Sequence, residues 1–190
     1  MRKTILNGFT ALALVFITAC GSNDSIEQAT EQSMQQFEAA GVQEDLENDA
    51  LFAAEAASAS MLQVQLGEAA TGMAVSPEVK GLAQEMVTAH QNMLSDLREM
   101  ATQSNFVLPS TLGEVHHEVY QDVTDQSGIS FDLAYLKRIV EQNELLVDRY
   151  DDIATHGQVM ELKQYASKQL PLLRQQQEIL EEMQEQIDNI

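Results

Sequence analysis

Apolar side chains recur every three or four residues along most of the chain after residue 48, which is the spacing of one face of an α-helix. The clearest stripe, near the end of the chain, comprises Leu162, Tyr165, Ala166, Leu170, Leu173, Leu180, Met183 and Ile187. An earlier stripe comprises Val79, Leu82, Met86, Met93, Leu94 and Leu97. Both are wide enough to face a shared core, and no segment shows the alternating β-branched pattern of a strand. The pattern predicts an all-α protein.

Local signals divide this region into helices. Ser76 and Pro77 form a cap and a first helical residue, and Thr111 with Glu114 matches a capping box for a short helix that Gly128 ends. Asn48 is the predicted cap of the first long helix. Pro171 predicts a kink in the last one. The four long helices are predicted over about 49–74, 76–104, 130–155 and 158–188. The predicted fold is an antiparallel four-helix bundle with an extra short helix between the second and third long helices.

The N-terminus has the features of a secretory signal. Two basic residues precede an apolar run over 9–19, which ends at Cys20, the only cysteine. The four residues that end at Cys20 resemble the lipobox of bacterial lipoproteins, in which the cysteine is acylated and becomes the new N-terminus. A membrane-spanning helix is the alternative, but it needs roughly twenty apolar residues. Gly21 follows the cysteine, and by resemblance to enterobacterial sorting rules this favours the outer membrane.

The chain is therefore predicted to consist of a lipoprotein signal peptide over 1–19, a tether and weakly helical segment over 20–47, and a bundle domain over 48–190. The middle segment has too few apolar residues to fold alone. We expect the protein to face the periplasm, held to the membrane through its N-terminal lipid.

Charge narrows the range of partners. The full chain has a formal net charge of −20, and cleavage before Cys20 would remove two basic residues and leave −22. Such a field repels nucleic acid, so none is expected as a partner. Besides the membrane, the expected partner is an unknown envelope protein or a small ligand.

Polar side chains interrupt the apolar stripes on each long helix. The predicted interior polar cluster comprises Gln65, His90, Gln142, Asn143 and Gln176. The axis of a helical bundle is where metal and cofactor sites are built. This cluster is therefore the candidate functional site.

Several segments together resemble a family of exported bacterial proteins called domain of unknown function 4142, over roughly 49 to 183. They are LQVQLGEAA (62–70), SPEVKGLAQEMVTAHQ (76–91), LPSTL (108–112), FDLAYLKRIVEQN (131–143) and LKQYASKQLPLLRQQ (162–176). The resemblance implies a ferritin-like bundle. It also implies acidic residues where this chain has Gln63 and Gln65, and histidine where it has Gln176. Asp-His pairs are implied where the chain has Ala89-His90 and Gln142-Asn143.

The chain departs from that pattern at most positions that could bind a metal. Of the implied ligands His90 alone remains, and amides are weak ligands for divalent cations. No metal or other cofactor is therefore expected. The polar cluster is interpreted as a hydrogen-bonded network inside the core, with a metal site or a small-molecule pocket as the alternatives.

No nucleophile can be assigned, because the one cysteine is expected to be acylated and nothing activates a particular serine. The adjacent His116 and His117 point about 100° apart on a helix and are expected at the surface. The predicted function is a non-enzymatic binding, scaffolding or stress-related role in the cell envelope. The alternative is a metal-binding ferritin-like oxidase or metal-storage protein.

Overall fold

The computed structural model describes residues 24–42 and 45–188, and within them the chain is all-α. The predicted signal peptide and Cys20 lie outside the described residues. Six helices are present in the described part of the chain: α1 (Ser25–Ala39), α2 (Glu47–Met73), α3 (Pro77–Gln103), α4 (Glu114–Thr124), α5 (Ile129–His156) and α6 (Met160–Asp188). None of these helices is long and apolar enough to cross a membrane.

The four long helices pack around a common core in the order α2, α3, α6, α5, and α5 closes the arrangement against α2. Neighbouring helices are antiparallel. Phe52 near the start of α2 packs on Tyr150 near the end of α5, whereas Val75, just after α2, donates its N–H to Asp132 near the start of α5. The short helix α4 lies against α2 and α5, and α1 lies against α2. The predicted all-α, antiparallel arrangement is confirmed.

Helix α3 begins where local sequence chemistry predicts. Ser76 is its N-cap, and the Ser76 hydroxyl accepts hydrogen bonds from the N–H groups of Glu78 and Val79. Pro77 is the first helical residue, where its missing N–H costs nothing. Four consecutive residues therefore mark this boundary in the local sequence.

Two buried aspartates hold the starts of other helices. Asp132 on α5 accepts from the N–H groups of Val75 and Ser76, ahead of α3. Asp49 on α2 accepts from the N–H groups of Gln158 and Val159, ahead of α6. Unpaired N–H groups and a partial positive charge at a helix start favour a carboxylate there. Each aspartate therefore joins two helices at one end of the bundle.

Two predicted caps are wrong. Thr111 and Glu114 form no capping box, because α4 begins at Glu114 with Gly113 as its N-cap. The Glu114 N–H is instead bound by the carboxylate of Asp24, just before α1. Asn48 does not cap α2, since that helix already begins at Glu47 and Leu46 is its N-cap. The sequence predicts that Gly128 ends α4, but the helix already ends at Thr124.

Helix α1 is part of the packed structure, although the sequence predicts that it lies outside the bundle domain. Its Ala29, Ser33 and Phe37 are buried. Phe37 packs edge-on against Phe106, which follows α3, with ring centroids 5.0 Å apart. Met34 of α1 is partly buried and packs against the same part of the core, so the larger apolar residues of α1 lie on the side that contacts the bundle.

Candidate functional site

A layer of polar side chains divides the core of the bundle. The buried apolar residues form two clusters, and each long helix contributes to both. Near the boundary between its two contributions each long helix has a buried polar residue: Gln63 on α2, directly after Leu62 of the second cluster, His90 on α3, Asn143 on α5 and Gln176 on α6. These four residues are called the polar layer below. They lie at a similar level of the bundle, because all four occur close to the point where their helix passes from one cluster to the other.

Within the polar layer, one hydrogen bond to protein is found. Asn143 donates through Nδ2 to the carbonyl oxygen of Leu173, at 3.0 Å. Since only the amide nitrogen can donate to a carbonyl, this bond fixes the orientation of the Asn143 amide and leaves its Oδ1 as an acceptor. The α5–α6 pair is thus joined at this level by a bond that an apolar residue could not make.

Six further polar atoms of the layer are buried and have no protein partner among the described residues. They are both side-chain atoms of Gln63, both ring nitrogens of His90, Asn143 Oδ1 and Gln176 Oε1. None of these six atoms is bonded directly to another member of the polar layer. A buried polar atom without a partner costs about 1–3 kcal/mol. The layer thus has a capacity for hydrogen bonding that the surrounding helices do not use.

The polar layer carries no charge at neutral pH. Three of its members are amides, and burial lowers the pKa of His90 from 6.5 to about 4. The physical cause is that the imidazolium form would have to exist away from water and without a carboxylate beside it. His90 is therefore a neutral imidazole, with one nitrogen as donor and the other as acceptor.

The sequence assigns the wrong glutamine of α2 to the interior. Gln65 is only half-buried, whereas Gln63 is fully buried. Helix α2 is surrounded by α1, α3, α4 and α5, so most of its faces are buried and its sequence shows no single apolar stripe. The spacing of Ala59, Gln63, Leu66 and Ala70 (four, three and four residues) is the signal that identifies the interior position.

The neighbouring Gln142 and Asn143 are directed to different places. Asn143 belongs to the polar layer, whereas Gln142 lines a cavity of about 350 Å³ on the α2–α5 side of the bundle. His116 on α4 lines the same cavity and shares a 2.7 Å hydrogen bond between its Nδ1 and the Ser58 hydroxyl. His116 therefore faces inward, contrary to the surface position predicted for it, whereas His117 is exposed.

The polar layer does not fit a divalent metal. Hard and borderline divalent cations bind carboxylates and imidazoles, and ferritin-like di-metal sites use several carboxylates together with histidines. In the layer one imidazole is accompanied by three neutral amides. No group of three or more His, Cys, Asp or Glu side chains suited to a metal occurs in the described ranges.

The fold and the layer define a class of protein: an antiparallel all-α bundle with an uncharged polar layer across its core. A family model described as a domain of unknown function (DUF4142) matches residues 28–183. The chain therefore belongs to this family, and the match begins inside α1. Comparisons with curated proteins and with solved structures give no significant match.

Proposed function

We propose that the protein is a lipid-anchored envelope protein that faces the periplasm, and that its ferritin-like bundle has a non-enzymatic binding or scaffolding role. Acylation of Cys20 and retention at the outer membrane are parts of this proposal. The support for anchoring is the sequence alone: an apolar run over 9–19 that ends at a lipobox-like cysteine.

The observation that carries the non-enzymatic part is the uncharged polar layer. Acid–base catalysis is most effective when the pKa of the catalytic group lies near the working pH, and metal-assisted catalysis needs several anionic or imidazole ligands. At the level of the bundle where ferritin-like proteins place such groups, this chain has Gln63, Asn143, Gln176 and a neutral His90. Neutral donors and acceptors are suited to binding through hydrogen bonds and to fixing the register of helices.

The alternative function, a metal-binding oxidase or metal-storage protein, is favoured by one observation. Both ring nitrogens of His90 are buried without a protein partner, which leaves an imidazole available to a ligand. Metal content distinguishes the two functions, since oxidase or storage chemistry requires bound metal and the proposed role does not.

Mass spectrometry of the mature N-terminal peptide tests the anchoring. We expect the peptide that begins at Cys20 to carry acyl mass, and the Cys20→Ala variant to remain unprocessed. The wild-type protein should partition into the detergent phase and fractionate with the outer membrane. A mature N-terminus at any other residue, without acyl mass on Cys20, would contradict the proposal.

A further inference from the structure

The cavity beside Gln142 is an apolar slot between α2 and α5. It is lined by Phe52, Ala56 and Ala59 on α2 and by Leu145 and Leu146 on α5, with Ile26 of α1 and Val115 of α4 beside it. Its volume of about 350 Å³ lies within the range of small-ligand pockets, which is about 300–1,000 Å³. The lining runs from Phe52 to Ala59 on α2 and from Gln142 to Arg149 on α5, a separation of seven residues in each case, or about 10 Å of helix. The slot is therefore elongated along the bundle.

One end of the slot presents a neutral hydrogen-bonding group. Gln142 is 9% exposed and lines the slot, and its amide atoms are not among the buried side-chain atoms that lack a hydrogen-bond partner. His116 lies at the same end and is already bonded to Ser58. An amide that lines the wall of a cavity can donate to, or accept from, an occupant with a carbonyl or hydroxyl group at this end.

At the other end of the slot lies a partly exposed ion pair whose two charges compensate each other. Arg149 contacts the Glu55 carboxylate at 2.9 Å, and its guanidinium lies 5.8 Å from the centre of the Phe52 ring. Because this arginine is engaged, the slot offers no unpaired charge to an ionic ligand. The strongly negative net charge of the chain further disfavours a free anion. The occupant should be an uncharged, elongated apolar group.

The surroundings of the slot indicate where such a group comes from. Val115 and Leu145 beside it are 64% and 60% exposed, so an apolar surface continues outside the slot. Ile26 in its lining is six residues from Cys20, and six residues span at most about 20 Å. If Cys20 is acylated, the slot is held close to the surface of the bilayer.

We propose that this slot binds a fatty acyl chain of a membrane phospholipid. The hydrocarbon lies along the apolar residues of α2 and α5, and its ester carbonyl accepts a hydrogen bond from Gln142 Nε2. This proposal rests on the proposed anchoring, which places the slot at the membrane. It assigns lipid as the binding partner of the bundle.

Photocrosslinking of the full chain in intact cells tests the proposal. Leu145 is replaced by the photoreactive p-benzoylphenylalanine, and after irradiation trypsin releases the peptide 139–149. We expect an adduct with the mass of a phospholipid or of its acyl chain. The matched control is the same replacement at Met160, which is also 60% exposed but lies outside the slot, and it should give little lipid adduct.

Two variants link the adduct to the slot. Gln142→Leu removes the amide at nearly constant size and should lower the adduct yield about fivefold, which corresponds to one lost hydrogen bond. Ala59→Leu fills the slot and should abolish the adduct. Thermal melts followed by circular dichroism verify that each variant is folded. If the Ala59→Leu variant does not fold, the Gln142→Leu variant alone tests the slot.

The outcomes separate this inference from the proposed function. An adduct to the protein's own N-terminal peptide or to another protein, or a lipid yield no higher than that of the Met160 control, overturns the phospholipid slot. In the same cells, digestion after Glu27 reports the mass on Cys20. Acylated Cys20 without a lipid adduct at position 145 refutes the slot alone, whereas unmodified Cys20 refutes the anchoring.

Discussion

Acid should destabilise the protein through His90, and the loss of unfolding free energy can be calculated from the lowered pKa of this residue. The pKa of His90 is lowered from 6.5 to about 4 in the folded chain, because the charged imidazolium would be buried. The unfolded chain therefore binds a proton below pH 6.5 that the folded chain does not bind until about pH 4. Above pH 6.5 both states hold a neutral imidazole, so the full stability is present there. The contribution of His90 to the free energy of unfolding is lost as the pH falls towards 4.

The size of the effect follows from the size of the shift. One pKa unit corresponds to 1.36 kcal/mol, so the difference between 6.5 and about 4 corresponds to about 3 kcal/mol of unfolding free energy. This is a large fraction of the stability of an ordinary domain, which is about 5–15 kcal/mol. The loss should accumulate between pH 6.5 and 4 and level off below pH 4.

Urea unfolding followed by far-ultraviolet circular dichroism, at a series of pH values from 7.5 to 3.5, measures this loss. The chain has no tryptophan, so its helical signal is the natural probe. Many carboxylates titrate over the same range, and the comparison with His90→Gln removes their contribution. The unfolding free energy of the wild type minus that of the variant should fall by about 3 kcal/mol on acidification.

A matched control is available at His117, which is exposed on α4. His117→Gln removes a histidine without changing a buried group, so its difference from the wild type should stay constant across the series. A wild-type minus His90→Gln difference that is equally constant would refute the reasoning. It would mean that His90 is hydrated or paired in the folded protein, and the uncharged polar layer would then have to be abandoned.

Packing and layer variants provide further tests, each read as a change in unfolding free energy. A Cβ atom at Gly67 would lie 2.9 Å from the carbonyl oxygen of Ala83, so Gly67→Ala must separate α2 from α3 and should cost about 1–3 kcal/mol. Gly81→Ala meets no atom within 4 Å and should stabilise α3 by about 0.5–1 kcal/mol; equal effects would refute the close approach. Gln63→Leu removes two buried atoms without partners and should stabilise the protein, whereas Asn143→Leu removes the bond to α6 and should destabilise it. If Gln63→Leu destabilised the protein and Asn143→Leu stabilised it, the Gln63 amide would have a hydrogen-bond partner in the folded protein.

The parts of the fold that were predictable from sequence are those determined by neighbouring residues. Ser76 and Pro77 begin α3 because a hydroxyl and a fixed φ act on the next few N–H groups. The stripes of α3 and α6 identify His90 and Gln176 as interior residues because each of these helices has an exposed face. In such helices, burial has the period of the helix and can be read directly.

The remaining features depend on contacts between distant residues. Asp24 takes the place of the expected cap of α4 from 90 positions away, and Asp49 caps α6 from 109 positions away. Nothing in the local sequence marks either contact. Gln63 is hard to recognise because α2 is covered on most sides and has no single apolar stripe, so only its spacing from Ala59, Leu66 and Ala70 distinguishes it from Gln65.

The separation of Gln142 from Asn143 was also not predictable. Adjacent residues on a helix point about 100° apart, so one can face the core while the other faces a side cavity. Which one does so depends on where α4 lies against α2 and α5. The sequence identifies both residues as interior, and the structure assigns Asn143 to the polar layer and Gln142 to the slot.

The metal content of the purified protein tests the central claim most directly. The account holds that one neutral imidazole and three amides cannot retain a divalent ion against water. Elemental analysis of protein prepared without chelators, and again after exposure to iron, manganese and zinc salts followed by desalting, should therefore give far less than one ion per chain. A stoichiometric content of iron, manganese or zinc that is lost in the His90→Ala variant would contradict the account and support the metal-binding alternative.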